Sequence, residues 1–347
     1  MSEEQHIKKH KNKIVILLAA ALAAFALFSV TQGSVKIPLR DVAKIVFSAL
    51  GGDALADIKP THAFIVLQVR LPRIFLAAMV GGVLAVIGAA FQAIFRNPMA
   101  DPYVMGVSSG AAFGATIGTI LGWSASFIGF SGISILAFAG ALSTVAIVYQ
   151  LARVGTRVSA TGILLAGIVM NALLSSAISL MMLLNHSKID KIVTWTMGSF
   201  NASSWDHVKW IAIPALLGSL MLLSDARAFN ALVMGEEDAQ GMGVDVNKLK
   251  RRTLIVASFL AAFTVSVSGI IGFVGLVVPH LLRMMIGSDH RRLLPVSFLG
   301  GALLLLVCDT MARSLIENME IPVGIITALI GGPFFLMLLQ RHKRELP

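Results

Sequence analysis

Apolar stretches recur along this chain at about 14–32, 71–94, 103–121, 127–149, 161–184, 208–223, 253–274, 276–287, 294–313 and 322–340. Runs of about 17–25 apolar residues match the length a helix needs to cross the hydrocarbon core of a bilayer. Their repetition constrains the fold more than any motif does. The chain is expected to be an all-α, polytopic membrane protein with about ten transmembrane helices. The eighth stretch is short, begins near Pro279 and is expected to cross only part of the way. No polar segment is long enough for a second domain, so residues 1–347 read as one transmembrane domain. Charged residues make up 13% of the chain, against about 25% in soluble domains.

Net charge is +10, yet no basic face is interleaved with stacking aromatics, which argues against nucleic acid as a partner. The basic residues sit mostly in short connections. Lys8, Lys9, Lys11 and Lys13 precede the first run, and Arg153 and Arg157 follow the fourth. Lys248 to Arg252 precede the seventh, Arg291 and Arg292 follow the eighth, and Arg341, Lys343 and Arg344 close the chain. With an even number of spans these groups share one side, and the positive-inside rule makes it the cytoplasm. Residues 1–13 are then a cytoplasmic tail, 33–69 an extracytoplasmic segment and 224–252 a cytoplasmic loop. The lysines before Ile14–Val30 look like a signal peptide, but the spans that follow favour a retained first helix. Leu39–Leu50 sets Val42, Ile45, Val46 and Ala49 opposite Arg40, Asp41 and Lys44, an amphipathic spacing. Ile189–Met197 is expected to form a second short outer helix.

The loop at 224–252 is a polar island in an apolar chain, and a long loop with its own helical pattern is usually functional. Ala226–Met234 reads as one short helix ended by Gly235. Glu236–Gln240 starts another, its acids favourable to the helix dipole, and Gly241 and Gly243 close it. Together they present a compact knob.

Chemistry-bearing motifs are sparse. There is no G-x-x-x-x-G-K-[ST], so the chain has no P-loop of its own, and there is no H-E-x-x-H or C-x-x-C. The eight histidines are scattered; no metal site, cofactor or catalytic residue is expected, and the chain is not read as an enzyme. Gly106-Val-Ser108-Ser109-Gly110 fits G-x-S-x-G but opens a glycine stripe, Gly106, Gly110, Gly114, Gly118 and Gly122, that suits close helix packing better than a hydrolase turn. Within a bundle or at a subunit interface, such a stripe admits a neighbouring backbone. The lone Cys308 allows no intrachain disulfide and reads as a packing residue. Asp309 is the clearest ionisable group inside a span, and Arg313, four residues on, lies on the same face. An ion-coupled secondary transporter working through Asp309 is therefore the alternative reading. Arg70 and Arg73 flank Pro72 where the second span meets the outer surface, either snorkelling to lipid phosphate or docking the carboxylates of an extracytoplasmic partner.

Several motifs in order then point to one family. They are Val69-Arg-Leu-Pro-Arg73, Gln92-Ala-Ile-Phe-Arg-Asn97-Pro98-Met-Ala-Asp-Pro102, Leu164-Leu-Ala-Gly167, Gly272-Phe-Val-Gly-Leu-Val-Val-Pro279-His280, Asp289-His290-Arg291, Leu294-Pro295 and Ile321-Pro322-Val-Gly324. The chain resembles, over about residues 14–342, the permease subunits of the iron-siderophore, haem and vitamin B12 ABC importers, the FecCD-type permeases of type II importers. That resemblance implies a vitamin B12 importer permease-like bundle in a bacterial or archaeal cytoplasmic membrane. It implies a homo- or heterodimer of permeases, two cytoplasmic ABC ATPase subunits and an extracytoplasmic substrate-binding protein. It also implies that Gly235, Glu236, Glu237, Asp238, Ala239, Gln240, Gly241, Met242 and Gly243 couple to the ATPase, and that Arg70, Arg73 and Arg313 receive acidic residues of the binding protein. By the same resemblance the pathway is expected to draw on the fifth span, where Asn171, Ser175, Ser176 and Ser179 soften an apolar wall and Met170, Met181 and Met182 offer adaptable contact area. The substrate is expected to be a ferric siderophore, with haem or cobalamin next. The topology is checked by labelling: Gln240→Cys in a Cys308→Ser background is expected to react with a membrane-impermeant maleimide in inside-out vesicles and not in intact cells.

Overall fold

The computed structural model describes residues 3–33, 35–49, 59–123, 126–127, 130–155, 157–316 and 319–344. Fifteen helices follow in chain order among these residues. Helix α1 is Glu3–Thr31, α2 Leu39–Ala49, α3 Pro60–Phe64, α4 Leu71–Ile94 and α5 Val107–Leu121. Then come α6 Gly132–Ala152, α7 Ala160–Leu184, α8 Ile189–Thr196, α9 Trp205–Ser224 and α10 Ala226–Met234. The last are α11 Glu236–Gly241, α12 Val246–Ser268, α13 Val274–Ile286, α14 His290–Ala312 and α15 Val323–Arg344. Two antiparallel pairs of two-residue strands, 126–127 with 130–131 and 153–154 with 157–158, are the only strand pairings described.

Seven helical segments among the described residues are long and apolar enough to cross a membrane, and α5, α13 and the 323–337 part of α15 are shorter apolar helices. The all-α polytopic reading holds. Helix α13 has 13 residues, or roughly 20 Å at 1.5 Å per residue, short of a hydrocarbon core of about 30 Å. Helix α1 already begins at Glu3, so the expected tail is helical from there. Helix α12 begins at Val246, capped by the Asp245 side chain on the Lys248 N–H at 2.9 Å, so the basic run Lys248–Arg252 belongs to a spanning helix rather than the loop. Residues 50–58, within the expected 33–69 segment, lie outside the described residues.

Helix α4 is apolar on every side, and such a helix belongs inside a bundle. Its spanning segment is 83% buried, against 11% for α7, which decides which helix is central. Its longest seam is with α14, and α9, α12 and α13 also pack on it. Gly81 and Gly301 face each other across the α4–α14 seam, where a Cβ on either would meet the other's carbonyl. The glycine stripe of α5 resolves the same way: Gly114 receives the Leu136 carbonyl of α6, so the stripe is packing inside the chain. Helix α2 buries Val42 and Ile45 against the bundle, one of two placements its amphipathic spacing allows, the other being flat on the membrane, and leaves Ala49 exposed.

The second span starts earlier than expected, at Pro60 rather than 71, and continues to Ile94. Pro72 reads in sequence as a boundary, because its ring clashes with the carbonyl of residue i−4 and it has no N–H. The chain accommodates it by widening: Ile65–Arg70 form a π-helical turn, with the Leu71 N–H bonded to the Val66 carbonyl. In that register the Leu67 carbonyl is owed a donor by Pro72, which has none. The Trp205 indole supplies it at 2.8 Å. Trp205→Phe leaves that carbonyl unsatisfied and is expected to cost about 1–3 kcal/mol. Adding Pro72→Ala, which restores an N–H, is expected to recover part of it. Thermal unfolding in detergent of the two single variants and the double variant checks the coupling.

Candidate functional site

At one end of α14, four charges close on each other. Asp309 is fully buried in the last turns of that helix. The Arg73 Nε of α4 donates to both its oxygens, at 3.0 and 3.1 Å, and Arg73 Nη2 lies 2.9 Å from Oδ1. Arg73 Nη1 donates to Glu320 Oε2 at 2.8 Å. Arg313 approaches Asp309 from its own helix, Nε to Oδ2 at 3.7 Å, one turn further on as the spacing implied. It also donates through Nη2 to the Ser29 carbonyl at 2.8 Å and to the Ser29 hydroxyl, and through Nη1 to the Gln32 carbonyl at 3.2 Å. Arg70 donates through Nη1 to the Val30 carbonyl at 2.6 Å and through Nη2 to the Val35 carbonyl.

All three arginines are buried, at 4–6% exposure, and turned to partners within the chain. They are not presented to solvent as separate posts. The physical reason is cost: a guanidinium at the end of an apolar bundle is stable only when paired and hydrogen-bonded. Glu320, one-third exposed, is the part of the cluster that reaches the surface. At the same end lies a cavity of about 520 Å³ with a largely apolar wall, bordered among others by Asp190, Lys191, Trp195, Asn201, His207 and Ser268. No motif in the sequence announced it, because its walls come from α6, α8, α9 and α12.

The polar island forms the other end of α14. Helices α10 and α11 form a hairpin turned at Gly235, as read from the sequence. Helix α10 buries Phe229 and Leu232, and α11 anchors Ala239. Glu237, Asp238, Gln240, Gly241, Met242 and Gly243 are exposed, and Met234, 72% exposed, extends the same knob. Glu236 is tied back by Lys250 Nζ at 2.6 Å and Arg96 Nη2 at 4.0 Å. Asp225 pairs with Arg252 at 3.3 Å; burial raises its carboxyl pKa, and that guanidinium pulls it part of the way back. Asn230, which sequence reasoning passed over, bonds Asp289 and His290 at the start of α14.

A sequence profile of the FecCD transport family matches residues 21–341. The chain belongs to the FecCD transport family. A cobalamin import system permease protein of Halobacterium salinarum is 45% identical over 82% of this chain and 76% of its own. A hemin transport system permease protein of Yersinia pestis is 41% identical, over 80% and 84%. A molybdate import system permease protein of Haemophilus influenzae is 36% identical, over 96% of each. A solved structure, described as an inward-facing conformation of an ABC transporter assigned to the metal-chelate type, superposes with a TM-score of 0.81 at 35% identity, covering 95% of this chain and 99% of that one.

This FecCD family member is therefore a multi-pass protein of the cell membrane and an ABC importer permease. Its helix α7 carries the residues read as pathway lining. Only Ile163 and Gly167 of that helix are buried within the chain. Ser175 and Ser179 are exposed, while Met170 is half-buried and the half-buried Asn171 accepts a hydrogen bond from Ser109 at 2.5 Å. In the middle of the helix Ala172, Ser175, Ser176 and Ser179 form a small, weakly polar patch, with the exposed Leu165, Ile168 and Leu183 on the same face beyond its two ends and Val169, Leu173, Leu180 and Leu184 beside it.

The Asp309 cluster is expected to be a structural clamp. Asp309→Asn leaves two buried guanidiniums short of countercharge and is expected to destabilise the chain by about 3–5 kcal/mol. Thermal unfolding in detergent, compared with an exposed control such as Asp245→Asn, checks it. An unchanged melting temperature rejects the clamp.

Proposed function

We propose that this permease moves a bulky metal chelate or tetrapyrrole-like compound, a ferric siderophore first, into the cytoplasm by alternating access within a complex. Two permease subunits line the pathway, two ABC ATPase subunits grip the α10–α11 knob from the cytoplasm, and an extracytoplasmic binding protein delivers substrate at the Arg73 end. One observation carries the reading: a single continuous helix, α14, joins an exposed acidic and methionine-bearing knob to a charged cluster at the far end, in a chain with no P-loop. An outside motor acting on the knob then has a mechanical route to the opposite face.

The orientation rests on the basic residues near the knob and the positive-inside rule. The small weakly polar patch of α7 supports a pathway through the dimer axis, since large ligands cross such walls without many fixed polar contacts. Haem and cobalamin follow the siderophore because relatives named for hemin and cobalamin are 41% and 45% identical; the relative named for molybdate widens the set to oxyanions. Docking at the Arg73 end works by exchange. A partner carboxylate replaces the one-third-exposed Glu320 on Arg73 Nη1, while Asp309 keeps the guanidinium in place; Arg70 and Arg313 hold α1 beneath it.

Uptake of ferric siderophore, haem, cobalamin and molybdate into proteoliposomes, with the ATPase and binding-protein partners added or omitted, tests the proposal. ATP-dependent uptake of one ligand is expected only with both partners, and transport by the chain alone, lost on Asp309→Asn without loss of fold, overturns it in favour of ion coupling. Glu320→Gln is expected to raise binding-protein affinity by freeing Arg73. Unchanged affinity across a salt series rejects the exchange.

A further inference from the structure

Several polar contacts tie the α10–α11 hairpin to the bundle, and they differ in kind. Glu236–Lys250, Glu236–Arg96 and Asp225–Arg252 are ion pairs with at least one partly exposed partner, all reaching α12 or the 95–101 loop. Pairs of that kind contribute about 0–1 kcal/mol and are screened by salt. The Asn230 contact reaches α14 instead. Its Nδ2 donates to Asp289 Oδ1 at 2.7 Å. Its Oδ1 accepts from the His290 backbone N–H at 2.8 Å and lies 2.9 Å from His290 Nδ1, which donates to it because an amide oxygen only accepts. Asp289 meanwhile caps α14 through the Arg291 N–H at 3.1 Å.

The joint is stiff for three reasons. His290 is 1% exposed and Phe229 fully buried, their rings 5.9 Å apart, so the His290 side of the joint is shielded from water, while Asn230 and Asp289 are half-buried. Both ends of the Asn230 amide are used, which fixes its orientation. The bond to Asp289 is to an ionised carboxylate: burial opposes that charge, but the Asn230 amide, the Arg291 N–H and the guanidiniums of Arg291 and Arg292 together hold its carboxyl below the usual range. Beyond the joint, α14 is pressed on α4 at Gly81 and Gly301 and locked to Arg73 through Asp309.

We propose that Asn230 is the positioning residue that passes motion of the hairpin into α14, the other contacts serving only to hold the hairpin against the bundle. This rests on the reading of the hairpin as the ATPase contact. The test uses the full complex in proteoliposomes, with ATP hydrolysis and substrate uptake measured in the same vesicles. Asn230→Leu is expected to keep hydrolysis and lower substrate carried per ATP by about fivefold or more, the lower range of coupling between sites. Asn230→Asp, which sets two carboxylates face to face, is expected to do the same. Asn230→Asp with Asp289→Asn keeps an acceptor toward His290, a donor across the joint and a cap on Arg291, and is expected to restore the ratio. An unchanged ratio in Asn230→Leu overturns the proposal. So does a parallel fall of hydrolysis, uptake and folded protein that the swap fails to rescue, because that marks a purely structural residue. Wild-type uptake that needs no ATP overturns the importer reading itself and is read before any variant.

Discussion

One carboxylate organises the bundle. Asp309 sits at zero exposure and takes three contacts from Arg73 on α4 and one from Arg313 on its own helix. Burying these groups apart is prohibitively costly, so they are stable only together. Their union fixes α14 against α4, and Arg313 carries the connection on to the end of α1 through Ser29 and Gln32. The small residues along the α4–α14 seam make the close approach possible, and the ion pair sets where along the seam it happens.

That arrangement also explains how one helix can report at both ends. Helix α14 meets the hairpin at Asp289–His290 and the charged cluster at Asp309–Arg313. A helix of 23 residues spans roughly 34 Å at 1.5 Å per residue, enough to bridge a hydrocarbon core of about 30 Å. In an apolar surrounding its backbone bonds beyond Pro295, the one interior residue without an N–H, are internal and cannot be traded for water, so that part of the helix moves as a rod. The exposed surfaces fit the same picture. Helix α7, little buried within the chain, carries a small weakly polar patch at mid-length in an otherwise apolar exposed surface.

Much of this was legible before any coordinates. A multi-span helical chain, now with seven helices of spanning length and three shorter apolar ones among the described residues, the short α13, the two-helix hairpin divided at Gly235, and the amphipathic α2 follow from periodicity and from glycine and proline signals. Other features were not. Pro72 reads as a boundary, yet the helix runs through it, because a π-helical turn and the Trp205 indole satisfy what proline disturbs. Lys248–Arg252 read as loop, yet Asp245 caps a helix ahead of them. The substrate was narrowed to iron chelates, haem and cobalamin, whereas relatives of comparable identity are named for cobalamin, hemin and molybdate.

The sequence by itself determined a multi-span helical protein, its family and the place of its hairpin, because hydrophobic length, helix signals and ordered motifs are local properties. Tertiary structure alone decided that Arg70, Arg73 and Arg313 are buried ties, that Asp309 is their countercharge, and that Asn230 grips α14. Arg73 and Asp309 are separated by 236 residues, and Asn230 and Asp289 by 59. No periodicity links such positions. Only packing brings them within hydrogen-bonding distance, where a buried charge must find its partner.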